Sequence, residues 1–257
     1  MAIYQGYGGP LNGLPDPRLL QRVLDITCGP GDWGLEVAFS HPHLEVAGID
    51  VSRAVIDYAN AKARSQGLRN ASFGVMGILD ELDFSDNTFD LIHGSFLSVR
   101  VPRESWNSVL KECWRILRPG GVLRLIDTDG VVTNSSICES FNELVCRAFH
   151  TAGYGFSPDG RSLGITPVIE TLFQKAGFQH THCTPYQINF SADTPSWMEV
   201  YRSLEVIGRL LQTVLTQEGA VADADMEQAY KRGIIELLAA DFCGIWPFVS
   251  VYGVKPE

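Results

Sequence analysis

One stretch constrains this chain more than any other: an apolar run that ends in an acid, turns through glycines and enters a helix. Val23-Leu24-Asp25-Ile26-Thr27-Cys28-Gly29-Pro30-Gly31-Asp32-Trp33-Gly34 has that order. Glycines let the backbone approach a ligand, and the start of a helix offers unpaired N–H groups. A second apolar run, Leu44 to Ile49, stops at Asp50. A carboxylate placed there accepts both hydroxyls of a ribose. The two runs together point to a nucleoside-type cofactor bound near the N-terminal part of the chain.

The pattern then repeats. Ser52 caps a helix with Val55, Ile56, Ala59 and Ala63 at helical spacing, and Gly67 stops it. Ala71 to Met76, Phe89 to His93 and Val122 to Asp127 read as strands. Trp106, Val109, Leu110, Cys113 and Leu117 form one helical face between the last two. Such β-α alternation with short connections predicts a doubly wound parallel sheet. Beyond Asp127 the spacing predicts a helix through Ile137 to Ala148, a Gly-rich loop at 153–160 and a short helix ending at Gly177. An extended strand, Phe178 to Phe190, comes next. Two more helices, about 195–216 and 224–240, precede a closing strand at 247–254. The expected domain is single, spanning 1–257, with residues 191–243 inserted as a helical cap.

Length and charge limit the functional classes. A chain of 257 residues buries a sizeable core. A net charge of −10 argues against a general nucleic-acid binder, which needs Lys and Arg to neutralise phosphates. No apolar run reaches the length of a membrane span, and the opening residues carry no charged or apolar leader. The six cysteines are scattered without paired spacing, which favours reduced, buried thiols. A cytoplasmic location with no membrane partner is therefore expected; the oligomeric state is left open.

Gly29-x-Gly31-x-x-Gly34 satisfies the dinucleotide pattern, a weak signal alone. Asp25, four residues before Gly29, repels a pyrophosphate and suits a ligand with an ammonium or sulfonium group. Four ordered segments now matter: Asp25-x-x-Cys28-Gly29-x-Gly31, Gly48-Ile49-Asp50-Val51-Ser52, Phe84-Ser85-Asp86-Asn87-Thr88-Phe89-Asp90 and Leu117-Arg118-Pro119-Gly120-Gly121. Over about Val23 to Asp127 the chain resembles the class I S-adenosylmethionine-dependent methyltransferases, nearest to the ubiquinone/menaquinone-biosynthesis-like, small-molecule group. The C-terminal half resembles them only in outline.

That resemblance implies a Rossmann-like seven-stranded sheet whose last strand is antiparallel, and S-adenosyl-L-methionine as cofactor. It implies that Asp25, Thr27, Cys28, Gly29 and Gly31 surround the methionine end, that Asp50 binds the ribose, and that Val51 packs on adenine. Related enzymes usually carry an acid after the third strand, where this chain has Gly77. Backbone groups of Gly77, Ile78 and Leu79 are left to meet adenine, unless Asp80 or Glu81 moves in. Ser95 and Phe96 line the methyl side. Tyr4 and Tyr7 either fold over the cofactor or stay unordered.

Methyl transfer from a sulfonium needs alignment and exclusion of water more than acid–base chemistry. His93, at the end of the fourth strand, is the candidate base for an acceptor that must lose a proton. Asp127, His150 and Tyr154 are the candidate substrate contacts, with Asp129, Arg100 and Arg103 as further polar groups near the same edge. His180-x-His182-Cys183 mimics metal-ligand spacing, but on a strand Cys183 faces away from the two histidines, so no metal site is expected. The activity expected is in-line methyl transfer to a small, hydrophobic or aromatic metabolite. The alternatives are a cofactor-binding protein of this fold without methyl transfer, a macromolecule methyltransferase, and a nicotinamide oxidoreductase.

Overall fold

The computed structural model describes residues 8–14, 16–202 and 223–257. Tyr4 and Tyr7, and most of the expected helix at 195–216, lie outside them. Each expected strand of the N-terminal half forms: β1 (Arg22–Asp25), β2 (Glu45–Asp50), β3 (Ala71–Val75), β4 (Phe89–Ser95) and β5 (Leu117–Asp127). All pair in parallel, in the order β3-β2-β1-β4-β5. β5 starts earlier than the sequence predicts. Gly120 and Gly121 exchange backbone hydrogen bonds with Lys255, so the Arg-Pro-Gly-Gly stretch joins the sheet instead of only ending a helix.

The C-terminal half adds β6 (Val132–Thr133), β7 (Gln179–Asn189) and β8 (Gly244–Val254). β8 runs antiparallel to β5 and to β7, so the last strand has the expected sense. The sheet holds eight strands, the seven expected plus the two-residue β6, which pairs with the start of β8. No apolar alternation marks so short a strand, and only its partner reveals it.

Three helices cover the parallel strands: α1 (Asp32–Ser40), α2 (Arg53–Ser65) and α3 (Trp106–Ile116). The Ser52 hydroxyl accepts from Val55 N–H, the cap read from the sequence. Alternate residues of each strand feed opposite faces. Leu24, Ile92 and Leu123 pack with Trp106 and Leu110 of α3 on one face. Val23, Leu91 and Val122 pack with Trp33 and Val37 of α1 on the other. Beyond β5 lie α4 (Ser136–Thr151), α5 (Ile169–Lys175), a helical stretch at 197–202 and α6 (Asp223–Glu236). No helix of the described residues is long and apolar enough to cross a membrane.

Candidate active site

β1 lies between β2 and β4, where the chain reverses its direction of winding. In open α/β sheets a crevice forms there, outside the carboxyl ends of the strands. Asp25 ends β1 and Asp50 ends β2, so one crevice receives both acids. Gly31 sits at φ +81°, and a Cβ on it would stand 3.0 Å from both Ala59 and the Phe73 ring. Gly48 pairs with Asp25 across the strands, and a Cβ there would come within 2.6 Å of Phe73 and 2.8 Å of Cys28. Close packing beneath the turn thus needs glycine at both positions, while the turn itself stays open above.

Asp25 is 2% exposed and accepts a 3.1 Å hydrogen bond from Thr27 N–H. Burial raises its pKa to about 7, against the lowering effects of the Thr27 N–H and of Arg100 and Arg124. Asp50 accepts from Ser52 N–H through Oδ1 at 3.0 Å, and its Oδ2 lies 3.6 Å from Arg100 Nη1. Two carboxylates therefore converge on one hollow. Thr27 serves the frame: its hydroxyl donates to Ser95 O at 3.0 Å and accepts from Ser95 N–H at 2.9 Å, tying the end of β1 to the end of β4. Cys28 is buried, and burial and the nearby acids push its thiol up, so it packs and is no nucleophile.

Across the crevice Val51 is 68% exposed and Leu79 53%, two apolar side chains turned to the outside near one acid. That acid is Asp80. Its Oδ2 stands 3.0 Å from the point a Gly77 Cβ would occupy, with Val51 Cγ1 at 3.5 Å. Asp80, one of the two acids the sequence offered in place of Gly77, thus stands beside it across a turn closed by Asp80 N–H to Gly77 O. Ile78 goes into the core, leaving only its backbone to the crevice.

Phe96 forms the far wall. Its backbone is left-handed, φ 56°, and its N–H bonds to Ile126 O. Its ring faces Trp246 and Phe248, each with centroids 5.9 Å away. Behind it opens a cavity of about 400 Å³, walled by Val145, Phe149, Phe190, Leu237 and Trp246, with Arg100 at its border. Trp246 Nε1 donates to Thr128 Oγ1 at 3.1 Å, which fixes the indole in the wall. α4 contributes the largest share of this lining, with further residues from α6 and β8.

The structure corrects the expectations for catalysis and substrate contact. His93 is fully buried, stacked on Trp33 with ring centroids 4.3 Å apart, and accepts from Arg124 Nε at 3.3 Å. Burial and the Arg124 charge hold its pKa well below the ordinary value, so it is neutral and does not line the cavity. β4 ends two residues later than read, at Ser95, which draws His93 into the sheet. Asp127 is also fully buried and accepts from Ser98 N–H at 2.9 Å, from Ser98 Oγ at 2.5 Å and from Thr128 N–H at 2.9 Å. It fixes the turn that carries Arg100, and burial raises its pKa to about 6. His150 and Tyr154 stand behind the cavity wall. Arg103 holds them there, its guanidinium reaching Gly155 O, His150 Nδ1 and Tyr154 O. Asp129 is occupied with the Ile165 and Thr166 N–H groups. Among the described residues no cluster of ligands fit for a metal occurs.

This strand order, with an antiparallel strand beside β5 and an acid–glycine crevice at the β1/β4 reversal, defines the class I methyltransferase architecture. The donor set fits S-adenosylmethionine: two converging acids for a cation and a diol, and apolar side chains beside an acid for a purine. Residues 23–121 match the methyltransferase domain family. The chain is 26% identical over 183 residues to a demethylmenaquinone methyltransferase of Geobacillus kaustophilus, covering 67% of this chain and 76% of that one. It is 36% identical over 108 residues to one from Listeria welshimeri, 42% of this chain and 44% of that one. Among solved structures, the YcgJ protein from Bacillus subtilis shares the fold, with a TM-score of 0.58 at 17% identity over 92% of each chain. Phosphoethanolamine N-methyltransferase 2 of Haemonchus contortus, solved with S-adenosyl-L-methionine, gives 0.54 at 22% identity over 92% of this chain and 49% of that one. The chain carries a methyltransferase domain over 23–121 and is an S-adenosylmethionine-dependent enzyme acting on a small metabolite, similar to the menaquinone- and ubiquinone-type methyltransferases.

Proposed function

We propose that the acceptor is a hydrophobic or aromatic molecule that enters the cavity behind Phe96 and receives the methyl group in line. The observation that carries this reading is the apolar cavity of about 400 Å³ lined by Phe96 and by Arg100, whose Nη1 lies 3.6 Å from Asp50 Oδ2 of the crevice. When bound, the cofactor supplies a methyl group already activated by its sulfonium. The chain's own residues then bind and align. Asp50 accepts the ribose hydroxyls. Val51 and Leu79 sandwich adenine, and Asp80 accepts from its amino group. Asp25 faces the methionine end, where Thr27, Cys28, Gly29 and Gly31 shape the turn. Ser95 and Phe96 border the methyl position, and the aromatic wall keeps out water.

No described histidine or cysteine stands ready as a base on this wall, in keeping with an acceptor that reacts without one or loses its proton to solvent. The chain works as one domain over 1–257, with 191–243 capping the cavity; the helical stretches at 197–202 and 223–236 support that division. The net charge of −10 favours a small acceptor over nucleic acid, and free, mostly buried cysteines favour a cytoplasmic site of action.

Calorimetry with S-adenosylhomocysteine tests the site. Asp50→Ala weakens binding by about 1–3 kcal/mol, the range for a bonding group left unpaired. Unchanged affinity in that variant removes the ribose assignment, and a nicotinamide dinucleotide that binds in its place removes the reading altogether.

A further inference from the structure

Arg100 is the single charged side chain among the described residues that line the cavity. The turn Leu97–Val99 carries it, and Asp127 pins that turn through Ser98. The backbone is therefore fixed while the long side chain, 43% exposed, reaches in two directions. One is toward the crevice, where Nη1 lies 3.6 Å from Asp50 Oδ2. The other is the apolar cavity, of whose lining Arg100 is part, with Thr128 and Asn142 as polar members of the same lining. Arg103, three residues on, is held by Gly155 O and His150 and has no such choice.

The ion pair with Asp50 conflicts with the diol site proposed above, on which this inference rests. A ribose that takes both oxygens of Asp50 takes Arg100's partner. No carboxylate is among the described lining residues, so the guanidinium has no fixed countercharge on the cavity side. Once the ribose takes Asp50, an anionic head on the second ligand supplies a countercharge on the cavity side. We infer that the methyl acceptor is an apolar anion, with an aromatic or aliphatic body in the cavity and a carboxylate, sulfonate or phosphate head held by Arg100 after the ribose displaces it from Asp50. Arg100 thereby couples the two sites: cofactor first, anionic acceptor second.

A matched pair of fluorescent probes tests this on the full chain. 1-Anilinonaphthalene-8-sulfonate and N-phenyl-1-naphthylamine share one apolar body, and only the first is an anion. With saturating S-adenosylhomocysteine, the sulfonate binds about tenfold tighter than the neutral probe, the gain from one charge-assisted hydrogen bond. Arg100→Met abolishes the preference and leaves the neutral probe unaffected, Arg100→Lys keeps part of it, and Val145→Trp, which fills the cavity, weakens both. S-adenosylhomocysteine tightens the sulfonate more than the neutral probe. Equal affinity of the two probes, a preference that survives in Arg100→Met, or no binding of either to the loaded protein overturns the inference. If S-adenosylhomocysteine itself does not bind the unaltered protein, the cofactor reading fails instead. Urea unfolding of Arg100→Met serves as the check on folding.

Discussion

Replacing Asp25 by Asn separates the cost of a buried acid from its use. Asn fills the same space and keeps an acceptor for Thr27 N–H. In the folded chain Asp25 titrates at about 7 instead of 3.8, because burial disfavours the charged form. The sign follows from linkage. As pH rises from 4 to 7, the unfolded chain has released this proton and the folded one still holds it, so folded stability falls across that window and levels off above it. A rise of about 3 units corresponds to about 4 kcal/mol at pH 8. Asp25→Asn is therefore more stable than the unaltered protein at pH 8, by up to that amount, and the gap narrows toward pH 5. Urea unfolding of both proteins at several pH values reads it directly. Binding runs the other way. The cationic end of the cofactor needs the carboxylate, so S-adenosylhomocysteine affinity of the unaltered protein rises about eightfold from pH 6 to 7.5, below the titration of the ligand's own amine. In Asp25→Asn affinity is lower and flat with pH. A variant that gains nothing at pH 8 relative to pH 5, or keeps the same slope of binding against pH, refutes the assignment of Asp25 as a buried acid held for a cation.

Two further predictions separate neighbouring roles. Asp80→Ala weakens S-adenosylhomocysteine by about 1 kcal/mol, one hydrogen bond, and leaves S-inosylhomocysteine unchanged because that analogue has no exocyclic amine; equal loss for both ligands sinks the adenine contact. His93→Gln keeps an acceptor for Arg124 but loses the stack on Trp33, so it lowers stability by about 1–3 kcal/mol, while any methyl transfer the unaltered protein performs keeps its pH profile. A rate loss of about a hundredfold or more in folded His93→Gln restores the histidine as a base.

Local order was legible in the sequence because it depends on short-range rules. Alternation of apolar runs with glycine turns is a backbone property, so five parallel strands, the Ser52 cap and the acids at the ends of β1 and β2 were all readable. Gly77 marked a missing acid and left Asp80 and Glu81 as candidates; only the turn brings Asp80 Oδ2 close to Gly77.

Depth and pairing were decided by tertiary structure. His93, Asp127, His150 and Tyr154 lie near the right edge in sequence, yet Trp33, Ser98 and Arg103 hold them in the core or behind the wall. Whether a polar residue meets a ligand or another side chain depends on partners far along the chain, about which spacing carries no information. The cavity is of the same kind. Its walls come from the turn after β4, from α4, from α6 and from β8 at once. The apolar faces that line it obey the same periodicity as those that fill a core, and only the packing of helices against the sheet leaves space between them.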